Sequence, residues 1–211
     1  MIYNRDGAMQ KKRFLKFITI FILLAVISAA CIIPFYFESP SIYYKIGMDK
    51  LMLRGGKVLG IFAGMLMFFQ LILIGRFSVL DKVWGLKTLF HYHRINGVTI
   101  LFVALIHPVL ILGADHFVLF PFEYKYWPEL MGILLLAILI LFVGVSHWQK
   151  ELGLDYKRWR LSHKLMAPGV FFLMFVHVFN VSQPFKSGFP LYAMGAGAVT
   201  IIFLMIRKYL K

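Results

Sequence analysis

Six long apolar segments dominate the sequence and constrain its fold more than any other feature. They cover residues 14–37, 58–74, 87–112, 130–147, 162–181 and 189–206. An α-helix needs about 20 predominantly apolar residues to cross the hydrocarbon core of a bilayer. With 61% hydrophobic and 15% charged residues, the chain has more apolar surface than a soluble domain could bury. The pattern predicts an all-α integral membrane bundle of six transmembrane helices, forming a single domain over residues 1–211.

The positions of the lysines and arginines predict which side of the membrane each loop faces. Of these 23 residues, 17 lie in the N-terminal stretch, the second loop, the fourth loop and the C-terminal stretch or at the segment ends that adjoin them. Because Lys and Arg accumulate on the cytoplasmic side, both termini are predicted to be cytoplasmic. The third and fifth segments then both run outward and are parallel. This pattern accounts for the net charge of +14 without a nucleic-acid partner.

Several signals for other protein classes are missing from the sequence. Cys31 is the single cysteine, which leaves no internal disulfide, no CxxCH sequence for covalent haem attachment and no thiolate cluster. Neither GxGxxG nor GxxxxGK[ST] occurs, so these residues are not expected to bind a nicotinamide nucleotide. Basic residues precede the first segment as in a signal peptide, but the apolar run continues past Cys31. We expect this segment to remain as a membrane span.

The histidines contain a repeated spacing. The seven are His91, His93, His107, His116, His147, His163 and His177. Two pairs, His93/His107 and His163/His177, are each separated by 14 positions. Fourteen helical residues advance about 21 Å and return the side chain to within about 40° of the same face. The third and fifth segments therefore each present two imidazoles at two depths.

Parallel packing of these two segments would pair the histidines by depth. His93 would face His163 near the cytoplasmic side, and His107 would face His177 near the outside. A low-spin haem iron binds two axial imidazoles on opposite faces of the porphyrin, and facing helices can supply them. We therefore predict two stacked, noncovalent b-type haems, with His93/His163 as inner iron ligands and His107/His177 as outer iron ligands.

The remaining polar residues give weaker indications. Arg94 and Arg160 flank the inner ligands and are predicted to contact haem propionates, although positive-inside topology also explains basic residues there. His91, His116 and His147 are interpreted as interfacial or solvated. A histidine-dependent metal transporter and a plain membrane anchor are the alternative functions. The transporter is disfavoured because neither the third nor the fifth segment contains Asp or Glu.

Two histidine-containing motifs resemble the ferric reductase-like transmembrane domain shared by NADPH oxidases, ferric reductases and the haem subunit of the bacterial periplasmic methionine sulfoxide reductase system. The first is FHYHR at 90–94 with Ile106-His107, and the second is YKRWRLSHK at 156–164 with Val176-His177. The resemblance runs from the second to the sixth segment. It implies that the four paired histidines ligate an inner and an outer haem.

The resemblance also implies a function and its partners. Oxidases and reductases of this family usually continue into a flavin and NADPH domain, whereas this sequence ends at Lys211. We expect an oxidoreductase subunit that passes electrons from a separate cytoplasmic flavoprotein, carrying FAD or FMN, to ferric iron, dioxygen or a periplasmic reductase. We expect the protein to lie in a cell membrane, namely the bacterial inner membrane. The short chain resembles the methionine sulfoxide reductase subunit, while the complete set of four histidines is closer to the oxidase and reductase branch. Both branches of the family stay open.

Overall fold

The structure, a computed structural model, describes residues 3–119 and 123–209, and over those ranges it contains helices and no strand. The α-helices are α1 Tyr3–Tyr36, α2 Pro40–Tyr43, α3 Gly47–Ile74, α4 Ser78–Trp84, α5 Leu86–Gly113, α6 Trp127–His147, α7 Tyr156–Val181 and α8 Gly188–Tyr209. Short 3-10 turns at Tyr124–Tyr126 and Gln183–Lys186 precede α6 and α8.

Six of these helices, α1, α3, α5, α6, α7 and α8, are long and apolar enough to cross a membrane. The predicted all-α fold with six membrane helices is confirmed, and the protein is a multi-pass membrane protein. Several helices begin before the predicted apolar segments, because Lys and Arg at the membrane flanks are good helix formers and continue the helix into the polar region. Which side of the membrane holds the termini stays a prediction.

Local sequence fixes where the two histidine-bearing helices begin. The Asp155 carboxylate accepts a hydrogen bond from the backbone N–H of Arg158 at 3.0 Å and so caps α7. Gly85, with a φ of 81°, separates α4 from α5 in a conformation that favours glycine. Each of these starting residues lies eight positions before an inner histidine, His163 or His93. The two inner histidines therefore sit at the same distance from the start of their helices.

The helices pack as two close pairs, α3 with α5 and α6 with α7. In α3 the residues Gly56, Gly60 and Gly64 recur every four positions, the small-residue pattern that allows membrane helices to approach closely. A Cβ added at Gly56 would lie 2.7 Å from the Cδ1 atom of Ile111 in α5. The glycines of α3 thus set the close contact between α3 and α5.

A buried apolar cluster fills the centre of the bundle. Its members are Met67, Leu71, Ile100, Leu135, Leu139, Val170, Phe171, Met174, Ile201 and Leu204. Ile100 lies midway between the two histidines of α5, and Val170 lies midway between the two of α7. The cluster therefore separates an inner histidine level from an outer one.

Candidate cofactor site

The inner level joins α5 and α7 through His93 and His163. Their imidazole ring centroids lie 6.3 Å apart, and their ring planes are inclined by 72°. Both side chains are half-buried, as are His107 and His177, whereas the three other histidines are exposed. Burial therefore separates the four histidines of the 14-residue repeat from the rest.

The separation of the inner rings fits a shared metal ion. An imidazole nitrogen binds a metal at about 2 Å and lies about 1 Å from its ring centre, so imidazoles on opposite sides of one ion have centroids about 6 Å apart. Within residues 3–119 and 123–209, no three His, Cys, Asp or Glu side chains come together as a metal site. A pair of protein ligands suits a porphyrin, because the porphyrin supplies the other nitrogens to its iron. The donor set fits a haem, whose presence stays a prediction.

At the outer level, backbone carbonyls orient both imidazoles. His107 Nδ1 donates to the Gly56 carbonyl of α3 at 2.7 Å, and His177 Nδ1 donates to the Pro128 carbonyl of α6 at 2.9 Å. A carbonyl can only accept, so both Nδ1 atoms carry the hydrogen and Nε2 is the nitrogen that could bind a metal.

A glycine beside each outer imidazole makes this hydrogen bond possible. A Cβ added at Gly60 would lie 2.9 Å from His107 Cε1, and one added at Gly132 would lie 2.5 Å from His177 Cε1. Each glycine is four residues after the accepting carbonyl, that of Gly56 or Pro128, so a side chain on it would extend back over that carbonyl. The same arrangement thus serves both outer histidines.

At the inner level a hydroxyl group takes the place of the carbonyl. His163 Nδ1 lies 3.1 Å from Ser146 Oγ in α6. The same hydroxyl donates to the Phe142 carbonyl at 2.6 Å, and the Phe142 ring stacks on the His163 imidazole with centroids 4.2 Å apart. Trp159 lies on α7 with its ring centroid 5.5 Å from that of His163. His163 is therefore held by contacts from α6 and from its own helix.

The helix that carries His93 is tied to α3 by two amide side chains. Gln70 Nε2 donates to the backbone carbonyl of His93 at 3.1 Å. Asn96 Nδ2 donates to the Leu66 carbonyl at 2.9 Å. These bonds fix the inner half of α5 against α3, as the His107 bond to Gly56 fixes its outer half.

Comparison with known protein families gives the identity of this domain. The family model described as the ferric reductase like transmembrane component matches residues 59–174. The chain belongs to this family. The match runs from α3 to α7 of the ferric reductase-like domain and ends three residues before His177. Neither the curated proteins nor the solved structures gave a match.

The other predicted residues of the ferric reductase-like domain lie around this arrangement. Arg94 and Arg160 are exposed beside the inner level, and their contacts with propionates stay a prediction. His91 and His147 are exposed at the same end of the bundle. His116, in the loop after α5, is exposed and lies 3.5 Å from an Asp49 carboxylate oxygen.

Sequence reasoning missed the residues that orient the imidazoles of the ferric reductase-like domain. These are Gly56, Gly60, Pro128, Gly132 and Ser146, which all lie on helices without a paired histidine. One signal was present in α6, where Gly132 and Ser146 are 14 positions apart, the spacing of the histidines they contact. Its meaning depends on the register between α6 and α7, which the sequence does not display.

Proposed function

We propose that this ferric reductase-like domain transfers electrons across a membrane with two b-type haems. His93 and His163 would hold the inner haem, and His107 and His177 the outer one. The observation that carries the proposal is the 6.3 Å separation of the His93 and His163 ring centroids, which suits two axial ligands of one iron. When bound there, the haems would supply one-electron chemistry through the ferric and ferrous states of iron.

The residues of the chain would prepare the two sites for this role. The carbonyls of Gly56 and Pro128 hold the outer imidazoles in the tautomer with a hydrogen on Nδ1. The buried apolar cluster between the two levels keeps water and competing polar ligands away from the space between them. Neutral imidazole ligands also suit the hydrocarbon interior, where an isolated charge would be costly.

Three basic residues are candidates for pairing with haem carboxylates. Arg94 and Arg160 lie near the inner level. Lys57, one position after Gly56, lies within a membrane helix, and its ammonium group donates to the hydroxyls of Ser39 and Ser41. Because Gly56 accepts the hydrogen bond of His107, the adjacent Lys57 lies close to the outer level along α3. Lys57 is therefore a candidate at the outer level.

The proposed direction of transfer follows from the distribution of basic residues. A cytoplasmic flavoprotein with FAD or FMN would supply electrons at the inner level. The acceptor outside would be ferric iron, dioxygen or a periplasmic reductase protein. The basic residues at this end of the bundle, Lys150 in the loop after α6 and Lys157 and Arg158 in the first turn of α7, would favour an acidic donor surface. The membrane would be the bacterial inner membrane.

Purified protein from haem-replete cells is expected to contain close to two haems per chain. The haems should show the sharp reduced-minus-oxidised bands of low-spin b cytochromes, and acidified organic solvent should extract them because no CxxCH sequence is present. A pyridine haemochrome assay combined with quantitative amino-acid analysis measures the ratio. Folded protein without colour would contradict the proposal, and haem that stays on the polypeptide would contradict the b-type assignment.

A further inference from the structure

The orientation of the inner ligands follows a different chemistry from that of the outer ligands. On α6, the outer acceptor is the carbonyl of Pro128, and the residue four positions later is Gly132. Fourteen positions along the same helix, the equivalent residues are Phe142 and Ser146. The inner level therefore has the side chain of Ser146 at the position where the outer level has Gly132.

The Ser146 hydroxyl links the inner imidazole to the carbonyl that the imidazole would otherwise reach. Its hydrogen is given to the Phe142 carbonyl at 2.6 Å, so its oxygen must accept from His163 Nδ1 at 3.1 Å. The hydrogen-bond chain therefore runs from imidazole to hydroxyl to carbonyl. It fixes the His163 tautomer with Nε2 available to a metal, as the direct carbonyl bond does for His177.

The register between α3 and α5 indicates a second side chain of this kind. Gly56 accepts from His107, and the residues 14 positions away toward the inner level are Gln70 on α3 and His93 on α5. Gln70 Nε2 donates to the His93 backbone carbonyl at 3.1 Å. Its Oε1 atom is buried and accepts no hydrogen bond from the described residues. A buried amide oxygen of this kind requires a donor.

We propose that Ser146 and Gln70 are positioning residues that act as hydrogen-bond acceptors for the inner pair His163 and His93, whereas the outer pair uses backbone carbonyls. This inference rests on the proposed haem function. An acceptor at Nδ1 raises the basicity of the imidazole and so favours ferric over ferrous iron. The reduction potential of the inner haem would therefore depend on the side chains of Ser146 and Gln70, and that of the outer haem on backbone carbonyls.

The test is a redox titration of each haem in purified Ser146→Ala and Gln70→Leu variants, with low-spin ferric EPR spectra of the same samples. Loss of one acceptor should raise the inner potential and move the inner EPR signal, leaving the outer haem unchanged. At a fixed potential the ferric-to-ferrous ratio of the inner haem should fall by roughly three- to tenfold, the effect of one hydrogen bond. Ser146→Thr keeps the hydroxyl and should restore the wild-type values.

Two control variants remove neighbouring hydrogen bonds that do not involve an imidazole. Ser162 lies on α7 and donates to the Trp159 carbonyl at 2.9 Å, so Ser162→Ala controls for Ser146→Ala. Asn96→Leu removes the bond to the Leu66 carbonyl and controls for loss of α3–α5 contact in Gln70→Leu. Ser162→Ala should titrate as wild type, and Asn96→Leu should shift the inner potential less than Gln70→Leu, because both remove a bond between α3 and α5 but only Gln70 is proposed to accept from His93.

The possible outcomes separate this inference from the proposed function. Wild-type protein without haem would overturn both. Wild-type protein with two haems, together with unchanged inner potential and EPR spectrum in both acceptor variants, would overturn only the positioning role. Equal shifts of the inner potential in the acceptor variants and in their controls would also overturn the positioning role. If Ser146→Ala loses the haem, the Ser146→Thr titration decides, because a shift there despite the retained hydroxyl contradicts the role of the oxygen.

Discussion

Alanine at His93 or at His163 should remove the inner haem and leave the outer one, so that haem content falls from about two to about one per chain. Alanine at His107 or His177 should remove the outer haem with the same loss. The reason is that one imidazole cannot supply both axial ligands of a low-spin iron. Members of a pair should give matching optical spectra and EPR signals, and the two pairs should differ from each other.

His91→Ala and His147→Ala are the matched controls for these variants. Both histidines are exposed and lie near the inner level, so their variants should keep both haems. A His93→Ala spectrum that matched His177→Ala instead of His163→Ala would contradict the pairing. Haem loss in the controls equal to that in the ligand variants would contradict the assignment of ligands.

Gly132→Ala is expected to reduce outer haem content several-fold, an effect that a methyl group on a helix would not ordinarily have. The added Cβ would lie 2.5 Å from His177 Cε1 and 2.9 Å from Nδ1, inside the contact distance of real Cβ atoms. The imidazole must move and lose its bond to the Pro128 carbonyl. Alanine is a better helix former than glycine by about 1 kcal/mol, so a weaker helix cannot explain the loss. Spectra of the ferric reductase-like domain purified from membranes measure the effect.

Gly169→Ala on α7 is the control for this substitution, because a Cβ there would contact no other described part of the bundle within 4 Å. It should keep both haems and the wild-type expression level. Gly60→Ala should act in the same direction as Gly132→Ala with a smaller effect, since its closest contact with His107 is 2.9 Å. An unchanged outer haem in Gly132→Ala would show that the imidazole does not need the position seen in the structure.

The features that could be predicted from the sequence are those that depend on one helix at a time. The apolar segments are long enough to identify each membrane helix without knowing its neighbours. The 14-residue spacing within α5 and within α7 places two imidazoles on one face of each helix by geometry alone. The resemblance carried by FHYHR and YKRWRLSHK led to the family that the comparison then confirmed.

The features that could not be predicted depend on the register between two helices. Gly60 and Gly132 have the composition expected for close helix packing, and nothing in the sequence separates that use from contact with an imidazole. The role of Ser146 depends on the register of α6 against α7, which brings its hydroxyl to His163. Gln70 likewise needed the alignment of α3 with α5. The role of a residue that supports a ligand on another helix is therefore difficult to identify from a single sequence.

Electron transfer across a sealed membrane tests the central proposal most directly. Vesicles of known orientation would carry a membrane-impermeant reduced flavin on the cytoplasmic side of the protein, and an impermeant ferric complex would then be added on the other side. The absorbance bands of both haems should show reduction by the flavin and reoxidation after addition of the ferric complex. Vesicles with His107→Ala should transfer electrons far more slowly, because the outer ligand pair is broken. Reduction of the ferric complex at the same rate in protein-free vesicles, or access of the flavin only from the opposite side, would contradict the account.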